Sequence, residues 1–348
     1  MYALLSRAFD DRAGNLRGKL IGIYALLMIL NLAVWAWTLL AFRAHPMLLG
    51  TALLAYGFGL RHAVDADHIA AIDNVTRKLL QENKRPVTVG FFFALGHSLV
   101  VILMAVGIAV TASALSSHFA WFKDVGGIVS TLVSTLFLFA IAAMNLLILR
   151  GVWRTFTHVR RGGAFAAEDF DLLLNSRGLL TRLFRPLFRL VTRGWHMLPL
   201  GFLFGLGFDT ATEVALLGIS ATQAAKGMSI WTIMVFPALF AAGMTLVDTT
   251  DGVLMQYAYK WAFLKPIRKV YYNLTITTIS VLVALVIGTI EWLQVIAGEL
   301  SLKGPFWDLI GNLSFENIGY IIIFLLLASW AVALAVYRLK GYEKTNPA

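Results

Sequence analysis

The sequence predicts an all-α integral membrane protein with eight transmembrane helices, from its composition, its apolar runs and its basic residues. The chain of 348 residues is 59% hydrophobic and 14% charged, with a mean hydropathy of +0.76. When Gly is counted and Tyr is left out, roughly 64% of residues are apolar, against about 45–50% in soluble domains. So few polar residues cannot cover a soluble surface, which disfavours an ordinary cytosolic enzyme.

Eight apolar runs are each long enough to cross about 30 Å of hydrocarbon as a helix. They lie at about 19–41, 47–76, 87–112, 126–149, 197–220, 230–259, 270–296 and 317–337. The second run is long and unusually polar for a spanning helix. We expect one polytopic membrane domain over residues 1–348, with a long basic loop at about 150–196 between the fourth and fifth spans.

The basic residues give the orientation of these spans. With both termini inside, 24 of the 29 Lys and Arg residues fall in the inner segments and four in the outer ones. This asymmetry obeys the positive-inside rule, and a wrong span count would destroy it. Both termini are therefore expected in the cytoplasm. A nucleic-acid partner is not indicated, because the charge lies between apolar runs and not on a folded polar surface.

Two absences from the sequence narrow the chemistry. The chain has no Cys, which excludes disulfides, thiolate nucleophiles and every Cys-based metal site. It also has no Gly-x4-Gly-Lys-Ser/Thr phosphate-binding motif, so transport would draw on an existing gradient and no ATPase subunit is implied. Any metal must be bound through nitrogen, oxygen or Met sulfur.

Ionisable residues inside the spans are the strongest functional signal. Each costs about 2.5–3.5 kcal/mol at the bilayer centre, so their number indicates a hydrated or metal-filled interior site. The ionisable candidates are Arg61, His62, Asp65, Asp67 and His68 on the second span, His97 on the third, Asp209 and Glu213 on the fifth, and Asp248 and Asp251 on the sixth. Ser98 and Thr210 are polar neighbours expected to support them, and Asp73, near the inner end of the second span, is expected to be a helix-end group or a partner of Arg or Lys. Asn31, a lone amide in the first span, is a weaker candidate for a wall of the site.

Two histidines and two carboxylates within residues 62–68 suit a borderline divalent cation. In an ideal helix His62 and His68 are about 9 Å apart along the axis, so one ion cannot bind both. We predict local unwinding around 62–68; otherwise these residues divide between direct ligands and residues that support them. Asp65 shares the histidine face, whereas Asp67 points away from His62.

The other intramembrane groups have two interpretations. His97 is a candidate metal ligand, although a lone membrane histidine more often forms an interhelical hydrogen bond. The acids of the fifth and sixth spans either support transport or are structural groups bonded to the many neighbouring Thr residues. Arg61 is expected to neutralise Asp65 or an acid of the fifth span.

A weak internal repeat points to a transporter architecture. The Gly-rich residues 57–60 recur at 205–208 with an offset of 148, and residues 96–100 match 243–247 with an offset of 147. Since the second span runs inward and the fifth outward, spans 2–4 and 5–7 form an inverted repeat. Alternating-access transporters often bind their substrate at the midplane between such repeats.

Together these motifs resemble the nickel/cobalt transporter family of secondary permeases. The residues that carry the resemblance are 61–69, with the His-x4-Asp-His element, and 95–98, 206–213 and 243–252. The resemblance covers nearly the whole chain and is nearest to the high-affinity nickel permeases of the hydrogenase-associated type. It implies uptake of Ni²⁺, with Co²⁺ as a further substrate, across the bacterial cytoplasmic membrane, so the metal is cargo and no cofactor is expected.

The resemblance also implies roles for individual residues. His62, Asp67 and His68 would be essential for metal recognition. His97 and the acids of the fifth and sixth spans would be supporting sites. The spacing argument instead places Asp65 beside the histidines, so both aspartates remain candidates.

Other functions remain as alternatives. An exporter of the same metals is the nearest one, but exporters often carry a His-rich loop, and loop 150–196 has only His158 and His196. A channel is a further alternative, which the inverted repeat disfavours. His62-x4-Asp67 also matches the His-x4-Asp of membrane acyltransferases, where Asp orients a His general base. Acyl transfer does not need the acids of the other spans.

Overall fold

A computed structural model describes residues 9–12, 15–110, 128, 131–140, 142–143, 146, 149–150, 153, 191–206, 211–262, 266–313, 318–321, 324–325 and 328. All regular structure in these residues is helical, which confirms the all-α part of the predicted fold class. Asp209, Thr210 and most of the basic loop lie outside the described residues.

We number the described helices in chain order. They are α1 Leu16–Ala41, α2 Leu48–His62, α3 Ala66–Gln81, α4 Val89–Val110, α5 Thr131–Ala140, α6 Met197–Phe204, α7 Ala211–Ala225, α8 Ile230–Ile233, α9 Val235–Ala262, α10 Pro266–Glu299 and α11 Pro305–Gly311. A short 3-10 turn, Gly194–His196, precedes α6.

Within the described residues, four stretches of helix are long and apolar enough to cross a membrane, judged by length and composition. They are Leu16–Ala41, Val89–Ala109, Ile230–Tyr257 and Val281–Glu299, and they coincide with the predicted first, third, sixth and seventh spans. On α1, Leu32, Leu39 and Leu40 are exposed while Ile23 and Leu27 are buried. Such an apolar exposed face suits contact with lipid.

The predicted second and fifth spans are not continuous helices. The second is divided into α2 and α3. The fifth was expected to be helical over 197–220, but α6 ends at Phe204 and α7 begins at Ala211. Gly205 caps α6, and a Cβ on it would lie 2.8 Å from the carbonyl oxygen of His97. Helix α6 ends where its backbone passes close to α4, and this close approach requires glycine because glycine has no Cβ.

Helix α9 lies at the centre of the described structure and packs against α1, α2, α3 and α4. Two glycines allow the closest approaches: Gly59 of α2 touches the backbone of Phe240, and Gly90 of α4 touches the carbonyl of Asp248. Small residues let membrane helices pack backbone to backbone. These contacts bring the polar residues of α2, α4 and α9 to one place.

Residues 9–12, 78–85 and 191–196 form a second region of close contact, which we call the basic junction. Asp11 Oδ2 accepts a hydrogen bond from the N–H of Gly194 at 2.7 Å, and Lys84 Nζ donates to the Thr192 carbonyl at 2.8 Å. Lys78 Nζ donates to the carbonyl of Val191 at 2.6 Å. Burial raises the pKa of the Asp11 carboxyl and lowers the pKa of Lys78 to about 8.

Candidate metal centre

The candidate metal centre begins at the interruption between α2 and α3. Helix α2 ends at His62, and Asp65 adopts an extended conformation (φ −63°, ψ 145°) before α3 starts at Ala66. The α-helical hydrogen bonds thus end at Ala63, and Val64 and Asp65 donate to the carbonyls three residues before them. This change lies inside the stretch 62–68 where unwinding was predicted. The imidazole centroids of His62 and His68 are 4.8 Å apart, whereas an unbroken helix would separate the residues by about 9 Å along its axis.

A third imidazole comes from α4. The ring centroid of His97 lies 4.8 Å from those of both His62 and His68. One ring nitrogen from each of the three histidines lies within 4.8 Å of the other two. The three side chains are almost fully buried, with exposures of 2%, 0% and 3% for His62, His68 and His97. Imidazole nitrogens in a buried cluster are the donor type that nickel, cobalt, copper and zinc prefer.

Carboxylates hold two of these rings through Nδ1. Asp65 Oδ2 lies 2.9 Å from His62 Nδ1, and Asp248 Oδ2 lies 3.3 Å from His68 Nδ1. Since a carboxylate accepts hydrogen bonds, each Nδ1 carries the proton and Nε2 keeps a lone pair. Metal-binding histidines commonly donate their second N–H to a carboxylate in this way, which fixes both ring orientation and tautomer.

Glu213 of α7, far from His62 and His97 in the sequence, also contacts the centre. Its Oε1 lies 2.9 Å from His97 Nε2 and 3.8 Å from His62 Nε2. The sequence had named Glu213 only as a supporting residue. The structure places its carboxylate directly beside two imidazoles.

Several buried polar atoms of the centre have no hydrogen-bond partner among the described residues. They are His68 Nε2, His97 Nδ1, Asp65 Oδ1 and Asp248 Oδ1. Buried polar atoms are nearly always paired, so each of them calls for a further partner. For His68 Nε2, a ring nitrogen of the histidine cluster, a divalent cation could be that partner.

The other predicted residues of the second span lie differently. Asp67 is half-buried, and its Oδ1 accepts a hydrogen bond from the backbone N–H of His68 at 2.9 Å. Arg61 is exposed at the end of α2, while Asp65 is buried beside His62. Asp73 is buried further along α3. The break therefore brings the carboxylate of Asp65 within 2.9 Å of His62 Nδ1.

The remaining supporting candidates are distributed over three helices. Asn31 Nδ2 donates to the carbonyl of Leu27, and its Oδ1 accepts from the hydroxyl of Tyr56 at 3.0 Å, so Asn31 links α1 to α2. Ser98 is buried, and its hydroxyl has no partner in the described structure; the same is true of Asp251 Oδ2 on α9. Asp209 and Thr210 cannot be placed, because they lie outside the described residues.

The sequence analysis missed several neighbours of the centre. Thr212 Oγ1 lies 3.5 Å from His62 Nδ1. The rings of Phe93 and Phe240 pack on His68 and His62, with centroid distances of 4.8 and 5.4 Å. Phe93 precedes His97 by four residues, a spacing that places both on one face of α4. That spacing was the only feature of the sequence that could have identified Phe93 as a neighbour of the centre.

The sequence analysis also missed a buried carboxylate that lies outside the histidine centre. Glu291 of α10 is buried, and its two oxygens accept hydrogen bonds from Ser134 Oγ and Thr135 Oγ1, both at 2.9 Å. We call these three residues the Glu291 cluster. An acid in the predicted seventh span was the signal that could have identified it.

Comparisons with known proteins show what the chain as a whole is similar to. The family model described as "NicO: High-affinity nickel-transport protein" matches residues 48–336. The chain is 57% identical to the high-affinity nickel transport protein of Cupriavidus necator, covering 99% of both chains. It is 52% identical to the hydrogenase nickel incorporation protein HupN of Bradyrhizobium diazoefficiens, covering 95% of this chain and 87% of that one.

A cobalt protein also appears among these relatives. The cobalt transport protein NhlF of Rhodococcus rhodochrous is 38% identical, covering 92% of both chains. No solved structure matches the chain.

Proposed function

The chain belongs to the NicO family of high-affinity nickel-transport proteins, and on that premise we propose that it takes up Ni²⁺ as a secondary, gradient-driven permease. Cobalt is proposed as a second substrate, since one relative is named a cobalt transport protein. The membrane is proposed to be the bacterial cytoplasmic membrane. Membership of a transporter family agrees with the expectation that the chain is not an enzyme.

One observation carries the proposal: three buried imidazoles meet at an interrupted helix in a chain that is otherwise strongly apolar. In transporters, such interruptions are tolerated where the backbone lines a cavity or is buried in protein. Three imidazole donors with nearby carboxylates suit Ni²⁺ and Co²⁺. The centre is therefore proposed as the place where the cation is recognised, with His62, His68 and His97 as ligands.

The two aspartates of the motif are proposed to have separate roles. Asp65, in contact with His62 Nδ1, would hold that ring in its metal-binding orientation. Asp67 accepts from the backbone at the first turn of α3, where a carboxylate also interacts favourably with the helix dipole. It would thus stabilise the interrupted backbone on which His68 depends.

We propose a single membrane domain of eight spans, with both termini in the cytoplasm and an inverted repeat of spans 2–4 and 5–7. Two glycines at corresponding repeat positions support it. A Cβ on Gly96 would meet the backbone of Leu198 in α6, and a Cβ on Gly243 would meet the backbone of Tyr56 in α2. Each glycine thus lets one half of the proposed repeat pack closely against the other half, as an inverted repeat predicts.

The driving force is proposed to be the membrane potential. Moving one charge across the membrane is worth about 2.3 kcal/mol per 100 mV, so a divalent cation gains about 4.6 kcal/mol. Because ligands must lose their protons to bind metal, protons released or taken up at the centre would also influence transport.

The test is uptake of trace radioactive nickel by intact cells that express the chain, compared with cells carrying an empty vector. We expect saturable accumulation, reduced by agents that collapse the membrane potential, and partial competition by excess cobalt. Accumulation no greater than in control cells, despite expression in the membrane, would overturn uptake. Faster nickel loss from preloaded cells would instead identify an exporter.

A further inference from the structure

Glu213 occupies a different position from the other carboxylates of the centre. Asp65 and Asp248 contact Nδ1 of their histidines, which is the nitrogen opposite the proposed metal-binding nitrogen. Glu213 Oε1 instead contacts Nε2 of both His97 and His62. It is therefore the carboxylate on the side where the lone pairs of the imidazoles converge.

Three atoms form a triangle at this point. His62 Nε2 and His97 Nε2 are 2.9 Å apart, and Glu213 Oε1 lies 2.9 Å from His97 Nε2 and 3.8 Å from His62 Nε2. Glu213 is 1% exposed. A triangle this small and this deeply buried leaves little room for anything larger than a single ion.

These distances are those of ligands around one metal ion. Donors bound at about 2.1 Å are about 3.0 Å apart at a right angle and at most about 4.2 Å apart on opposite sides of the ion. The two shorter sides correspond to adjacent ligand positions, and the third corresponds to a wider angle. One ion could contact all three atoms with only small movements of the side chains.

Resting on the function proposed above, we infer that Glu213 is a direct ligand of the transported cation, alongside His62 and His97. Asp65 and Asp248 are then positioning residues that act through His62 and His68.

The position of Glu213 in the chain gives this ligand a further role. His62 and His97 belong to the first half of the proposed repeat, whereas Glu213 lies on α7 in the second half. A cation bound by all three joins the two halves. The carboxylate also places negative charge directly beside the ion, where the imidazole ligands contribute none.

The test uses the purified full-length protein in detergent, with Ni²⁺ titrated by calorimetry and the bound metal examined by X-ray absorption. In Glu213→Gln we expect Ni²⁺ affinity to fall by more than about 100-fold, which exceeds the loss that follows when only a supporting group is removed. The spectrum should lose an oxygen ligand while the imidazole contribution stays the same. Asp308→Asn, which removes an exposed acid on α11, is the matched control and should bind as wild type does.

A shorter acid separates a ligand from a structural group. Glu213→Asp keeps the carboxylate but withdraws it by one methylene, so its Ni²⁺ affinity should lie between those of wild type and Glu213→Gln. If Glu213→Gln does not fold, the Ni²⁺ affinity of Glu213→Asp tests the inference in its place. Unchanged affinity and an unchanged spectrum in these variants would overturn the inference and leave nickel transport standing. Wild-type protein that binds no nickel would overturn the proposed function itself.

Discussion

The histidine centre and the Glu291 cluster are both polar sites buried among apolar helices, but they differ in how their polar atoms are satisfied. In the Glu291 cluster each carboxylate oxygen accepts a hydrogen bond from a hydroxyl. In the histidine centre, His68 Nε2 and an oxygen of both Asp65 and Asp248 have no partner among the described residues. Burial of charge alone does not mark a substrate site. A cluster of three ring nitrogens within 4.8 Å of one another, in which His68 Nε2 has no partner, does.

The largest effect is expected from removing an imidazole. In His97→Ala the nickel uptake rate should fall by more than about 100-fold, since a ligand is lost and not merely its support. Initial uptake of radioactive nickel, normalised to the amount of protein in the membrane, measures this. His45→Ala removes an exposed histidine and should leave uptake unchanged. An equal loss of uptake in both variants would show that the effect is not specific to the histidine centre.

Removing a positioning carboxylate should have a smaller effect. Asp248→Asn keeps the size of the side chain but removes the charge that holds His68 Nδ1–H. We expect the KM for nickel to rise by about 10- to 100-fold. Uptake rates measured over a range of nickel concentrations give this value, and a KM equal to that of wild type would show that Asp248 does not act on the centre.

The Glu291 cluster should affect stability and not recognition. Glu291→Leu leaves the hydroxyls of Ser134 and Thr135 without their acceptor, which should lower the free energy of unfolding by roughly 2 kcal/mol. Unfolding of the purified protein in increasing denaturant, followed by tryptophan fluorescence, measures the change. The KM for nickel should stay within about twofold of wild type; a large rise would make this cluster part of the substrate path.

The basic junction should give the smallest effect, and one that depends on pH. The pKa of Asp11 is raised above 3.8, chiefly by burial, so the folded state disfavours the charged form. Its contribution to stability is therefore greatest below the unfolded pKa and is lost as pH rises through the folded pKa.

Asp11→Asn removes this titration but keeps an oxygen to accept from Gly194. The variant should gain in stability relative to wild type as pH rises from about 4 to about 7, by no more than about 1 kcal/mol. Thermal unfolding in detergent over this range tests it. A difference that does not change with pH would contradict the assignment.

The sequence was sufficient to predict those parts of the site that depend on helix geometry alone. The separation of His62 and His68 in an ideal helix required a break, and α2 and α3 are interrupted at residues 63–65. The choice between Asp65 and Asp67 could not be made, because the break itself determines which of them faces His62.

The rest of the site depends on packing between helices that are distant in sequence. His97 reaches His62 because Gly59 and Gly90 allow α2 and α4 to pack closely against α9, and single residues do not reveal those distances. The end of α6 was missed for a similar reason. The sequence alone does not distinguish Gly205 from a helical residue, because its approach to the backbone of His97 depends on the packing of α6 against α4.

The most direct test of the account is nickel uptake by intact cells expressing wild type or His62→Ala at equal levels in the membrane. His62 is the residue at which α2 ends, and it contacts His97, Asp65 and Glu213. The account predicts saturable uptake by wild type and none above background by the variant. Uptake that does not depend on His62 would contradict a metal centre at the interrupted helix.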